Sequence, residues 1–172
     1  MKPFVRGKHI ALREITPDDA DFLVRLRTDP DLGKHLSPTA ADVEQQRKYI
    51  FNYLASLADY YFIITDWEQH PLGTIRIYDI QGSSFCWGSW ILSKEAPSSA
   101  AIESALLIYD FAFFALHYDK SHFDVRKANT KVVDFHKRFG ARIVREDELN
   151  YYFEYDSDTY LKIRQKYARY LP

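Results

Sequence analysis

The sequence holds little that would tie the protein to a membrane, an oxidising compartment or a nucleic acid. Its single cysteine, Cys86, has no second thiol in the chain to pair with, so no disulfide framework organises the fold. The opening Met1-Lys2-Pro3-Phe4-Val5-Arg6 runs on into Gly7-Lys8-His9 and not into an apolar signal core, so a reducing cytoplasmic location is expected. The most apolar stretch, Phe111 to Leu116, is too short to span a bilayer and lies between Asp110 and His117, and no membrane partner is expected. Neither sign of charge is in excess. The 23 Lys and Arg against 24 Asp and Glu leave a formal net charge of -1, which removes the field that gathers nucleic-acid backbones or anionic lipid. Internal repeats, low-complexity tracts and linkers are missing as well.

What is present is globular in its proportions. The 172 residues are 47% hydrophobic and 27% charged, which predicts one domain over residues 1–172 burying roughly 70% of the surface of the unfolded chain. The aromatic share, 16% with 13 Tyr and 12 Phe, is the unusual figure. Filling a core accounts for most such rings, and lining a concave surface is their second use.

Along the chain, Ile10 to Ile15 alternates as a strand, and Thr16-Pro17-Asp18-Asp19 then supplies an N-cap, a first-position proline and two carboxylates facing the helix dipole. That helix carries Ala20, Leu23 and Leu26 and ends at Asp29-Pro30. Ser37-Pro38 opens a longer helix with Val43, Arg47, Ile50, Leu54 and Leu57 on its inner face. The period then turns to alternation over Tyr60–Thr65, Leu72–Ile80 and Ser84–Leu92, three strands in hairpin succession. From Pro97 a long apolar helix carries Ile102, Ala105, Leu106, Tyr109, Ala112, Phe113 and Leu116. A strand His122–Arg126 leads to a helix capped by Asn129, with Val132, Phe135, His136 and Phe139 inward and Gly140 at its end. A hairpin of Ala141–Val144 and Tyr151–Tyr155 and a last helix from about Ser157 close the chain. This order predicts a mixed α/β layer structure.

Two stretches resemble the GNAT superfamily of acyltransferases: Leu12-Arg13-Glu14-Ile15-Thr16-Pro17-Asp18-Asp19-Ala20, and Asp124-Val125-Arg126-Lys127-Ala128-Asn129 followed by Phe135-His136-Lys137-Arg138-Phe139-Gly140-Ala141. The resemblance runs from about Lys8 to Tyr155. It implies a central, mostly antiparallel twisted sheet of about seven strands with helices on both faces. In that family the strands before and after the long helix splay, and the pantetheine arm of acetyl-CoA lies in the gap. Splayed strands leave backbone N–H and C=O groups that an amide-bearing arm satisfies like an added strand. The edge is expected at Trp90, Ile91 and Leu92. The turn Pro97, Ser98, Ser99, Ala100 and Ala101 is expected to receive the CoA pyrophosphate at the helix N-terminus. This turn departs from the family pattern, with Pro97, Ala100 and Ile102 standing where Gln or Arg, Gly, and Gly or Ala are usual. Two serine hydroxyls remain as donors, and Lys94 stands beside Glu95.

By the same resemblance, His136 stands where many relatives carry a Tyr that protonates the departing thiolate, and Asn129 helps fix the cofactor. Its apolar neighbours could lower the His136 pKa and leave the ring a neutral hydrogen-bond partner. The strand Ser83 to Trp90 has no carboxylate to act as base, so Asp79 and Asp124 are the candidates, with a water chain as the other route. Leu26-Arg27-Thr28-Asp29-Pro30, the glycine-poor helix start and Phe123 to Asn129 resemble N-acetyltransferases of nucleotide-linked amino sugars in surface-glycan pathways. The acceptor is then a small-molecule amine, with Tyr78, Trp87 and Tyr152 bordering it and Arg27 paired to a nucleotide diphosphate. Acetyl-CoA is the expected co-substrate, with no metal, and the protein is expected as a monomer or homodimer. Two alternatives stand: acetylation of a protein N-terminus or another small amine, and a non-catalytic acyl-CoA-binding module. Cys86 is not expected to act as a nucleophile, and the basic face Lys162, Arg164, Lys166 and Arg169 reads as solvated surface.

Overall fold

A computed structural model describes residues 4–36, 39, 41–55 and 59–172. Strand β1 (Phe4–Arg6) pairs with β2 (Ala11–Glu14), after which the chain turns into its first helix. That turn is held by Asp19, whose carboxylate accepts from the Thr16 N–H at 2.8 Å and from both ends of the Arg13 guanidinium at 2.8 and 2.7 Å. Asp19 is nearly buried, and this paired geometry is the kind in which an ion pair is worth its desolvation. A 3-10 turn, Pro17–Asp19, leads directly into α1 (Ala20–Thr28). Helix α2 (Val43–Leu54) starts later than its sequence suggests, because Asp42 caps it by accepting from the N–H groups of Glu44 and Gln45. Ser37, Pro38 and Leu57 lie outside the described residues. The buried face of α2 holds Ile50 and Tyr53; the Tyr53 hydroxyl accepts from the Tyr61 N–H at 2.6 Å, while Val43, Arg47 and Leu54 are only partly covered.

The remaining strands are β3 (Tyr60–Thr65), β4 (Pro71–Gln81), β5 (Ser84–Leu92), β6 (Lys120–Arg126), β7 (Arg142–Glu146) and β8 (Asn150–Asp156). They form one eight-stranded sheet in the order β1-β2-β3-β4-β5-β6-β8-β7. The eighth strand, beyond the expected seven, is the short β1 at the edge. Every neighbouring pair is antiparallel except β5 and β6, whose parallel pairing demands a crossover. Helix α3 (Ala100–Asp110), continued by a π-helical turn at Phe111–Ala115, supplies it. One face of the sheet packs Phe85, Trp87, Phe123 and Phe153 against Tyr109 and Phe113 of that crossover, Phe139 after α4 (Thr130–Arg138) and Tyr160 of α5 (Ser157–Lys166). The other face packs Ile15, Tyr61 and Ile63 against α1 and α2. Most of the aromatic residues are therefore core. Among the described residues no helix is long and apolar enough to cross a membrane.

Two irregularities shape the middle of the sheet. β5 and β6 pair only at Ser84 with Lys120 and at Phe85 with Ser121, and then part. On its other side β5 bulges: Gly88 stands opposite Arg76 and Ile91 opposite Thr74, so Ser89 and Trp90 together face Ile75, and Ser89 has a φ of 47°. The Thr74 hydroxyl donates to the Ser89 carbonyl at 2.6 Å and clamps the bulge. The extra residue shifts the alternation, so both Trp87 and Trp90 reach α3, through indole N–H bonds to Tyr109 and Ser104.

The strand beside the bulge leaves no room for a side chain at Gly73, where an added Cβ would sit 2.2 Å from the Ile91 carbonyl oxygen. Gly73→Ala is expected to cost about 2 kcal/mol or more in urea unfolding, since backbone would have to move. A loss under about 0.5 kcal/mol would show that β4 and β5 are not held this closely.

Candidate active site

Three connected cavities open where β5 and β6 part. The outermost, a groove of about 620 Å³, runs along Trp90, Ile91 and Leu92, past Ser98, Ala101 and Ile102 at the start of α3, and against Asn129, Val132 and Phe135 of the α4 segment. It shares Trp90, Asn129 and Val132 with a central cavity of about 290 Å³ lined also by Gly88, Phe123, Asp124 and His136. Arg27, Tyr78 and Ser89 are common to this cavity and a third, of about 410 Å³, between α2 and β4.

The groove suits an extended, amide-bearing arm, because beyond Phe85 the β6-facing edge of β5 has no strand partner. Trp90, Ile91, Leu92, Ser98, Ala101 and Asn129 stand where a cofactor would be touched. Asn129 occupies the N-cap position of α4 but its side chain makes no capping bond, and the residue lines both the groove and the central cavity. Three of the expected contact residues stand off the groove lining. Pro97 is exposed on the turn and Ala100 is fully buried, and neither lines the groove. The Ser99 hydroxyl turns inward and donates at 2.8 Å to Glu103, a carboxylate only 1% exposed that also accepts from the His9 N–H at 2.9 Å. Lys94 lies 3.5 Å from Asp31, on the outside of the turn. The groove instead carries Lys34, Lys131 and Arg138, which the sequence reading passed over; the spacing of Lys131, Phe135 and Arg138 on one helix face was the available signal.

His136 sits 4% exposed among Trp87, Trp90, Phe123, Phe135 and Phe153, its ring 4.3 Å from that of Phe123. Burial alone pushes its pKa down to about 3, and its Nδ1 is buried without a partner. The imidazole is therefore neutral near pH 7, able to share a hydrogen bond but not to hold the extra proton of a general acid.

The two carboxylates separate cleanly. Asp124, at an exposed position of β6, lines the central cavity. Asp79 lies outside all three cavities: its side chain is 54% exposed, its φ is 48°, and it accepts from Gln81 at 2.9 Å and lies 3.0 Å from Nε2 of His122. A bulge in β4 between Tyr78 and Gln81 turns it away from them.

Among the acceptor residues, Arg27 and Tyr78 line both inner cavities; Arg27 donates to Thr39 at 2.6 Å, and burial raises the Tyr78 phenol. Trp87 is a wall of the central cavity, but its indole N–H is spent on Tyr109 and its ring is core. Tyr152 lies outside the cavities, its hydroxyl donating to Asp147 at 2.7 Å and its ring under Arg145. Sequence reasoning missed Tyr49, Tyr61 and Arg76, which meet only when α2 folds over β4. Burial pushes the Cys86 thiol up to about 12, an inert state in keeping with its exclusion as nucleophile.

A family model for the acetyltransferase (GNAT) domain matches residues 9–142. A solved structure, apo FdhC, a nucleotide-linked sugar GNAT, is 37% identical over all of both chains with a TM-score of 0.91. A GNAT-family acetyltransferase from Bacillus anthracis (15% identity, TM-score 0.78, 91% of this chain and 99% of that one) shares the fold. So does spermidine N-acetyltransferase from Vibrio cholerae in complex with CoA and spermine (15%, 0.78, 89% and 98%). No curated protein matches the chain. The protein belongs to the GNAT family of acetyltransferases, and its activity is N-acetyl transfer.

The buried imidazole makes stability depend on pH. Between pH 6.5 and about 3 the unfolded chain protonates this ring while the native state does not, so stability falls as pH falls. His136→Phe is expected to remove a slope of about 1.4 kcal/mol per pH unit from that range, read by urea unfolding at several pH values. An unchanged slope would mean the ring titrates normally in the folded protein.

Proposed function

We propose that the protein transfers the acetyl group of acetyl-CoA to the amine of a nucleotide-linked amino sugar. The observation that carries this reading is the line of three joined cavities, with Asp124 and His136 at the middle one. The outer groove takes the thioester arm, and the acceptor enters from the α2 side. The two inner cavities are lined by Arg27, Arg76 and Arg126 against Asp42 and Asp124. Arg27 and Arg126 give the central cavity guanidinium groups whose geometry matches the phosphates of an anionic carrier such as a nucleoside diphosphate. Arg76 bonds Asp59 and Tyr49, both at 2.8 Å, and keeps its buried Nε without a partner. The likeness to a nucleotide-linked sugar GNAT supports the same acceptor class. Acetylated amino sugars of this kind feed surface glycans, and a cytoplasmic location, where acetyl-CoA and sugar nucleotides are made, fits the reading.

In the reaction the amine nitrogen attacks the thioester carbonyl carbon, and the carbonyl electron pair moves to oxygen. Backbone N–H groups on the unpaired β5 edge near Leu92 stabilise that oxyanion. Asp124 takes the proton that nitrogen sheds. The C–S bond then breaks, the tetrahedral centre collapses to the amide, and the proton passes to sulfur. His136, neutral, contributes a hydrogen bond to the departing sulfur.

Purified protein given acetyl-CoA is expected to release thiol with nucleotide-linked amino sugars at a kcat/KM about a hundredfold above that for free amino sugars, spermidine or peptides. Preference for spermidine or a peptide would overturn the acceptor assignment, and CoA binding without turnover of any amine would favour a non-catalytic module. Asp124→Asn should lower kcat by about a hundredfold or more while the KM for acetyl-CoA stays within about twofold. An unchanged kcat would remove Asp124 from the proton path.

A further inference from the structure

Beside the cavities, one run of side chains crosses three strands. Nε2 of His122 on β6 lies 3.0 Å from the Asp79 carboxylate on β4, and Nδ1 lies 2.6 Å from the Ser84 hydroxyl on β5. A carboxylate only accepts, so Nε2 carries the ring proton, and in the neutral ring the Ser84 hydroxyl donates to Nδ1. Asp79 is steadied in turn by the Gln81 amide, which donates to it at 2.9 Å. The residue types are those of a nucleophilic triad, but none of the three lines any of the three cavities, so the arrangement is one that holds strands.

Its place in the sheet gives this clasp an effect. The β5–β6 ladder ends where Phe85 meets Ser121, so His122 is the first residue of β6 with no β5 residue opposite it, and its ring spans the gap where the gap opens. Asp124 follows two residues on, on the same side of β6, and Tyr78 immediately precedes Asp79 on β4; both line the central cavity. Cys86 pairs with Tyr78, and its thiol is raised by burial first and then by the carboxylates of both Asp124 and Asp79, which sets the clasp and the cavity side by side. On its other side β6 is laddered to β8 along its whole length, so a change in the angle at which β6 leaves β5 moves Asp124 with the strand. The His122 and Asp79 side chains are 24% and 54% exposed, and bonds this open add little to stability. Rate is more sensitive, because a displacement of about 1 Å in a reacting geometry costs up to about a hundredfold.

We propose that His122 is a positioning residue for acetyl transfer: by tying Asp79 and Ser84 to β6 at the root of the gap, it fixes the placement of Asp124 against the β4–β5 wall. This rests on the assignment of Asp124 as proton acceptor given above. The imidazole touches no reacting atom and acts through the strand.

The test measures kcat and KM for thiol release from acetyl-CoA by the full-length protein, with the amine of highest kcat/KM. The wild type is compared with His122→Phe, Ser84→Ala, Asp124→Asn, and the last combined with each of the first two. His122→Phe is expected to lower kcat about tenfold with the KM for acetyl-CoA within about twofold, and Ser84→Ala, which keeps the bond to Asp79, to lower it about threefold. Because the effect runs through Asp124, adding either substitution to Asp124→Asn should lower kcat by less than about twofold further. Equal losses with and without the Asp124 carboxylate, or an unchanged kcat in His122→Phe, would overturn the inference while leaving Asp124 as base. Should His122→Phe fail to fold, Ser84→Ala in the two backgrounds makes the same comparison with the same overturning results. An unchanged kcat in Asp124→Asn, or no turnover of any amine, would overturn the earlier reading and this inference with it.

Discussion

The constraint on which the rest depends is the parting of β5 from β6. Parallel neighbours cannot be joined by a tight turn, so α3 must cross over between them, and its packing against Phe85, Trp87 and Phe123 is the main core of the protein. The two strands share only two residue pairs before the Ser89 bulge bends β5 and they separate. Separation has a cost, since backbone donors and acceptors lose their ladder partners. A sheet that carries such a gap in its middle is suited to a ligand that completes the ladder. The groove, the central cavity and the approach of α4 all follow from that one opening.

The chemistry of the opening is set more by what surrounds it than by any single group. His136 lies in a cage of rings, and the desolvation that keeps it neutral also keeps its neighbourhood of low polarity, where a hydrogen bond to a developing charge counts for more. Asp124 lines the same cavity from an exposed position of β6. The two groups thus sit in different environments on one cavity, the imidazole buried among rings and the carboxylate at an exposed position.

Charge is distributed by layer. The carboxylate of Glu103 is locked inside, beneath the α3 turn, while Lys34, Lys131 and Arg138 stand over the groove and Arg27, Arg76 and Arg126 over the inner cavities. In a chain whose net charge is -1, these basic side chains line the groove and cavities together with Asp31, Asp42 and Asp124.

The sequence by itself determined what depends on near neighbours: the capped start at Asp19, the three alternating strands from Tyr60 to Leu92, the Asn129 to Gly140 helix with its inward His136, and through these the family resemblance. These are periods and caps, read over a few residues, and the structure keeps them. Helix α2 begins at Val43 behind its Asp42 cap, and Ser37-Pro38 lies outside the described residues. Only the tertiary structure decided which of two similar carboxylates reaches the cavity, that Tyr152 bonds Asp147 while Tyr78 lines the site, and that Ser99 answers to Glu103 and not to solvent. The physical reason is that one residue of bulge or register, at Ser89 or between Tyr78 and Gln81, reverses which face a side chain takes, and such shifts are fixed by pairing partners far away in the chain.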